Sequence, residues 1–371
     1  MERPSLHDKP TGFDDHLLDI AVDQVRRPVI TGDIPCAAIS IYRHDNCAIA
    51  LALGNKVARP FPIAADVNTI FDMASVTKVI ATATAINILF ERGMLSPETE
   101  VGRILPAFAR QAQVPGFADR GKITIRHLLT HCAGFPAGGN YRGKQISLGQ
   151  IIDDIAKSRV MYPLGTKFLY SDFSFITLGA VVTAITGKTL DRFCSDNIFN
   201  PLGMSDTGFN LPKEKHSRCA STAADNNAPV NQGVVHDPTA LAMGGVAGHA
   251  GLFSTIQDVS KWCRMMLGGG MVDGIRVIRR GTVARMTSPQ SPFIGEERGF
   301  GVDIASDYNV RGELTVGSYG HTGFTGTSIW LDPANDLFVV LLTNGVHAKP
   351  PAKVTAVRRR LHAAISRART D

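Results

Sequence analysis

Ser75 and Lys78 stand three residues apart at the head of an apolar stretch, FDMASVTKVIATATAINILF, running from Phe71 to Phe90. Residues three apart share one face of a helix, about a turn from each other, so this hydroxyl and this amine can touch. Val79, Ile80, Ala83, Ile86, Leu89 and Phe90 imply burial on more than one side of that helix. Desolvation disfavours an ammonium and lowers a lysine's pKa. A lysine so treated can take the proton of a neighbouring hydroxyl and leave an activated nucleophile. The helix start adds backbone N–H groups and partial positive charge where an oxyanion would develop. The plainer alternative is a serine that caps the helix and a lysine that snorkels to water. Against it, this is the one S-x-x-K in the chain, and its surroundings are apolar.

Two further stretches carry polar groups suited to the same chemistry. Tyr170-Ser171-Asp172 lies in YPLGTKFLYSDFSFITLGAVV, a Pro-Gly turn leading into an apolar, helix-like segment. His321-Thr322-Gly323 lies in YGHTGFTGTSIW, just before a strand-like run that starts at Gly326. Singly, each also reads as a half-buried aromatic or a glycine turn.

Taken in order, S-x-x-K, Y-S-D and H-T-G resemble the three motifs of the serine β-lactamase and penicillin-binding-protein superfamily. The pattern looks most like its class C β-lactamase and serine-esterase branch. The phrases ITIRHLLTHCAGFP (Ile123–Pro136), NPLGMSDTGF (Asn200–Phe209) and GGVAGHAGLFST (Gly244–Thr255) resemble that branch too, and the likeness runs from about Phe13 to Asn344. The resemblance implies Ser75 as the acylated nucleophile, Lys78 as its proton acceptor and Tyr170 as a second acid or base. It places His321, Thr322 and Gly323 on an edge strand along the cleft. It also implies an oxyanion hole made by the backbone N–H groups of Ser75 and Phe324.

The chain departs from the family pattern twice. Asp172 stands where Asn is usual, and His321 where Lys is usual. An ionised Asp accepts but cannot donate to a substrate amide carbonyl. A histidine, with an ordinary pKa near ~6.5, is mostly neutral at pH 7 and gives up the charge that draws a carboxylate. Both changes predict a site less welcoming to anions, and favour esters or small amides. An ionised Asp172 near Lys78 would also raise the lysine's pKa, so either Asp172 points away or Tyr170 carries more of the base work. The other readings are a β-lactamase, a D-amino-acid peptidase, an acyltransferase and a non-catalytic penicillin-recognising protein.

These side chains need a scaffold. Phe13 to Arg27 has the apolar spacing of an amphipathic helix. Ala37–Tyr42 and Ala48–Leu53 read as two strands around the turn Arg43-His44-Asp45-Asn46, and Gly326–Leu331 and Leu337–Thr343 as two more around Asp332–Asp336. A helix follows Pro350-Pro351. The expected fold is α/β of the α+β type: an antiparallel sheet formed from both chain ends and flanked by helices, plus a mainly helical subdomain. The expected division is a single catalytic domain over residues 1–371, with 13–96 and 250–371 in the α/β part and 97–249 in the helical part.

Composition is that of an ordinary globular protein: 371 residues, 44% hydrophobic, 19% charged, net charge +6. The basic residues are spread out, and Arg358-Arg359-Arg360 reads as the solvated face of a terminal helix, so no nucleic-acid role is expected. MERPSLHDKPTGFDD has no apolar leader core, no stretch has the length of a membrane span, and six cysteines lie scattered without regular spacing. Together these predict free thiols, a cytoplasmic location and no membrane partner. The expected partner is a small-molecule ester or amide; oligomeric state stays open. His127, His131, His236-Asp237 and His249 show no metal-ligand spacing, so neither metal nor cofactor is expected. His236 and His249 fall in a glycine-rich segment expected to line the cleft and touch substrate. Gly187-Lys188-Thr189 echoes a phosphate loop, but Val182 takes the place of its first glycine, and no G-x-S-x-G elbow occurs.

Overall fold

A computed structural model describes residues 11–116, 118–223, 231–291, 293, 295–306, 308 and 310–370. Residues 1–10, most of the N-terminal stretch considered above, lie outside them. At the centre is an eight-stranded sheet whose spatial order begins with Ile63–Ala64, Asn46–Val57 and Cys36–Arg43. It continues through Leu337–Thr343, Ser328–Asp332 and Tyr319–Thr322 to Asp303–Ala305 and Glu297–Arg298. Neighbouring strands of this sheet pair antiparallel, and the seam between the chain's two ends runs in register from Ala37 opposite Thr343 to Arg43 opposite Leu337. The antiparallel sheet built from both termini is therefore present.

The central strands are buried at nearly every position because both faces are covered. Alternation along a strand sends neighbours to opposite faces, and the core divides accordingly. Ala37, Ile39, Ile41, Val339, Leu341 and Trp330 pack under the helices Asp15–Ile30 and Val354–Arg367. Cys36, Ala38, Val340, Leu342, Ile329 and Leu331 join the larger cluster with Val259, Trp262 and Met266 of the helix Ile256–Leu267. Between Pro97 and Gly248 the described residues are helical and looped, with Gly208–Phe209 as a short strand.

The Ser75 helix differs from the regular one expected. Ala74–Val76 is a tight 3₁₀ turn, Lys78–Ala83 a wide π turn, and only Thr84–Glu91 is regular. A π turn leaves carbonyls misplaced for the usual ladder, and the Thr84 hydroxyl donates to the Val79 carbonyl at 2.9 Å. The helical run Ala74–Glu91 does reach the length and hydropathy of a span, contrary to the sequence reading, but 89% of it is buried in the core. The six cysteines are free, five of them buried.

Candidate active site

The turn that presents Ser75 is stitched from two directions. Ala74 has a φ of 46°, a left-handed backbone rare for a residue with a side chain. Its N–H donates to Asp72 Oδ1 at 2.9 Å, while Asp72 Oδ2 accepts from the His236 N–H at 2.7 Å. Burial pushes the Asp72 carboxyl up to about 6 against those two bonds. On the other side the Thr325 hydroxyl donates to the Asp72 carbonyl at 2.7 Å and the Thr327 hydroxyl to the Met73 carbonyl at 2.9 Å. Arg358 then donates to the Gly323 and Thr327 carbonyls at 3.0 and 2.9 Å. Ser75 and the backbone at Phe324 are thereby held in fixed relation. Arg358 is only 5% exposed, so the basic run is not wholly a solvated face.

Lys78 does not snorkel. Its side chain is fully buried, and Nζ donates to Ser75 Oγ at 3.0 Å and to the His249 carbonyl at 3.0 Å. Asp172 Oδ1 lies 2.7 Å from the same nitrogen. Asp172 opens the helix Asp172–Thr186, which is buried from Phe173 to Val182 and so aims its first turn at Lys78. The Tyr170 ring centroid is 5.0 Å from Nζ. Burial alone lowers the lysine's pKa, but the nearby Asp172 and Tyr170 outweigh it and the net shift is upward. Of the alternatives the sequence left open, Asp172 does not point away: it faces Lys78 and raises its pKa.

His321 lies on the strand Tyr319–Thr322 and is 4% exposed. Burial holds its pKa well below the ordinary histidine value, aided by Arg298 and Lys78. Its Nδ1 pairs with the Thr322 carbonyl at 2.8 Å, so Nδ1 carries the proton and Nε2 is an acceptor. Behind Tyr170, the His131 ring packs at 4.5 Å and accepts from the Ser171 N–H at 3.1 Å, which leaves its proton on Nε2. Burial likewise keeps His131 neutral.

The cleft at Ser75 has a volume of about 850 Å³ and is lined by Tyr170, His321, Thr322, Gly323 and Phe324, which the sequence pointed to. It is lined equally by Arg298, Asp303 and Tyr308, which the sequence did not single out. Phe324 is exposed and stacks on the His236 ring at 5.7 Å. Asp172 is spent on Lys78 rather than turned to the cleft. The His249 ring is also turned away: it is 1% exposed and its Nε2 pairs with Asp237 Oδ1 at 2.8 Å, so what His249 brings to the site is its carbonyl. Asp172, Asp237 and His249 place possible ligand atoms within 4.8 Å of one another. Asp172 is already paired with the Lys78 ammonium and Asp237 with the His249 ring.

Comparison with known proteins fits this architecture. The family profile named Beta-lactamase matches residues 21–364. An Escherichia coli protein, provisionally named a D-alanyl-D-alanine carboxypeptidase, is 33% identical over 319 residues, covering 77% of this chain and 71% of its own. Among solved structures, "EstCE1, a hydrolase with promiscuous acyltransferase activity" superposes with a TM-score of 0.76 at 22% identity, covering 94% of this chain and 99% of its own. A penicillin-binding-protein homologue from Caulobacter crescentus gives 0.76 at 20% identity over 96% and 99%. The chain belongs to the Beta-lactamase family of serine hydrolases.

Proposed function

We propose that this protein hydrolyses esters or small amides through an acyl-enzyme on Ser75. The observation that carries the reading is the 3.0 Å contact between Ser75 Oγ and the Nζ of a fully buried lysine, at the edge of an open cleft. Ser75 Oγ gives its proton to the Lys78–Tyr170 pair as it attacks the acyl carbon. The leaving group takes that proton, and water then releases the acid by the reverse path. The N–H groups of Ser75 and Phe324 hold the oxyanion. Esters and small amides are favoured over β-lactams because Asp172, bonded to Lys78, offers no donor to a substrate amide.

The test is intact-mass measurement after treatment with a fluorophosphonate, on wild type and Ser75→Ala. A single adduct on wild type and none on the variant is expected; equal labelling of both would remove Ser75 from this role. A panel of nitrophenyl esters, nitrocefin and D-alanyl peptides at equal enzyme concentration then ranks substrates. Nitrocefin turned over efficiently with esters left untouched would overturn the preference.

A further inference from the structure

We infer that His131 is the positioning residue for Tyr170: its Nδ1 accepts from the backbone beside the tyrosine while its ring packs against the phenol ring. This rests on the acyl-enzyme reading, in which Tyr170 shares the Ser75 proton with Lys78. It adds a residue that acts on the reaction only through another side chain.

Tyr170 stands in a loop just ahead of the helix Asp172–Thr186. A side chain on a loop holds one orientation only when its neighbours are tied to something rigid. Here the residues on both sides of the tyrosine are tied to His131. The Leu169 N–H donates to the His131 carbonyl at 2.9 Å, and the Ser171 N–H donates to His131 Nδ1 at 3.1 Å. Between those two anchors, the Tyr170 ring meets the His131 ring at 4.5 Å and places its own centroid 5.0 Å from Lys78 Nζ. Asp172 has a separate anchor, its N–H donating to the Ala137 carbonyl at 2.7 Å. What His131 sets is therefore the tyrosine.

Few side chains suit the position. His131 has a φ of 57°, a left-handed backbone in which asparagine, aspartate and histidine are enriched. Nδ1 accepts only while the ring is neutral. Burial keeps it neutral, helped by the nearby Arg298, Lys78 and His321. The ring is fully buried, with Phe175 at 5.1 Å and Phe168 edge-on at 6.0 Å. Packing alone does not account for a histidine in this place. Its Nε2 is buried without a hydrogen-bond partner among the described residues, a cost that a wholly apolar ring avoids. What imidazole offers and a phenyl ring lacks is the Nδ1 acceptor.

The experiment measures kcat and KM separately with 4-nitrophenyl butyrate. The proteins are wild type, His131→Leu, His131→Asn, Tyr170→Phe and the His131→Leu/Tyr170→Phe double variant. His131→Leu should lower kcat about 10²-fold, as for a reacting group displaced by about 1 Å, and leave KM little changed. His131→Asn tolerates the left-handed backbone and brings an amide oxygen toward the place of Nδ1. It should regain about tenfold or more of the kcat lost in His131→Leu. In the Tyr170→Phe background, His131→Leu should cost no more than about twofold, because the hydroxyl it aims is already gone. A merely structural histidine would instead multiply its loss in full onto that of Tyr170→Phe, and this result overturns the inference. Wild-type kcat in His131→Leu, or no recovery in His131→Asn, overturns it as well. Were His131→Leu not to fold, His131→Gly suits the same backbone and takes its place in the cycle under the same criteria. Wild type that takes no fluorophosphonate fails the acyl-enzyme reading. Wild type that is labelled on Ser75 while the cycle is fully additive fails the positioning role alone.

Discussion

Asp172 Oδ1 lies 2.7 Å from the Nζ of Lys78, closer than the Ser75 hydroxyl at 3.0 Å. The lysine thus rests as a cation, held by Asp172, the His249 carbonyl and Ser75 Oγ. Only its neutral form can accept a proton. Asp172 and Tyr170 raise its pKa in the folded protein, so activity should climb with pH through the titration of that ammonium. Asp172→Asn keeps a hydrogen-bond acceptor but removes the anion, and the lysine then loses its proton more readily. The acid limb of the kcat/KM profile should move to lower pH by a unit or more. An unmoved or upward-shifted limb would show that Lys78 is not the group being titrated.

Lys78 and Tyr170 share the proton traffic in this reading, and their separate substitution reports on each. Lys78→Met fills the same buried channel without charge, and Tyr170→Phe keeps the ring against His131. Each should lower kcat by about 10²–10⁴ while far-UV circular dichroism is unchanged. Full activity in both would place the base elsewhere.

Gly248 offers a test of backbone positioning. A Cβ there would lie 2.0 Å from the Phe175 carbonyl and 3.1 Å from the Gly179 N–H nitrogen. The helix Asp172–Thr186 and the segment before His249 can meet only because neither glycine has a side chain. Gly248→Ala must push the His249 carbonyl away from Lys78, so kcat should fall at least tenfold and Tm should drop. A variant with wild-type kcat would mean that the third acceptor of Lys78 is dispensable.

The sheet was legible from sequence because alternating apolar positions in Cys36–Arg43 and Leu337–Thr343 serve two cores at once. The serine–lysine contact was legible because a spacing of three survives the change from a regular helix to a 3₁₀ turn. Arg298 and Tyr308 were not, since nothing in their local sequence marks them. They reach the cleft only through the edge pairing of Arg298 with Asp303 and the loop beyond it. The direction of the Lys78 pKa shift was open in the sequence for a related reason. Burial of the helix could be read locally, whereas the direction of Asp172 depends on how a helix nearly a hundred residues later is packed.

The last prediction concerns how the site's brace responds to acid. His362 is fully buried one turn beyond Arg358, with Nδ1 donating to the Val310 carbonyl at 2.7 Å and Trp330 at 6.2 Å between ring centroids. Burial lowers its pKa to about 4; the Val310 bond opposes this and Arg358 adds to it. The unfolded chain, with a histidine near ~6.5, takes up its proton first as pH falls. Stability contributed by neutral His362 is therefore whole above ~6.5, declines as pH drops toward about 4, and totals roughly 3 kcal/mol. His362→Asn keeps a donor for Val310 and removes the titration. It should melt below wild type at pH 7.5, and the gap should narrow steadily toward pH 4.5 because wild type loses stability faster. Parallel Tm curves for the two proteins would mean that His362 takes up its proton without resistance from the fold. Protonating His362 also sets a second cation beside Arg358, the residue that holds the Gly323 and Thr327 carbonyls in place. In the folded wild type that protonation comes only as pH approaches about 4, so loss of hydrolase rate should appear there, and the asparagine variant should not show it.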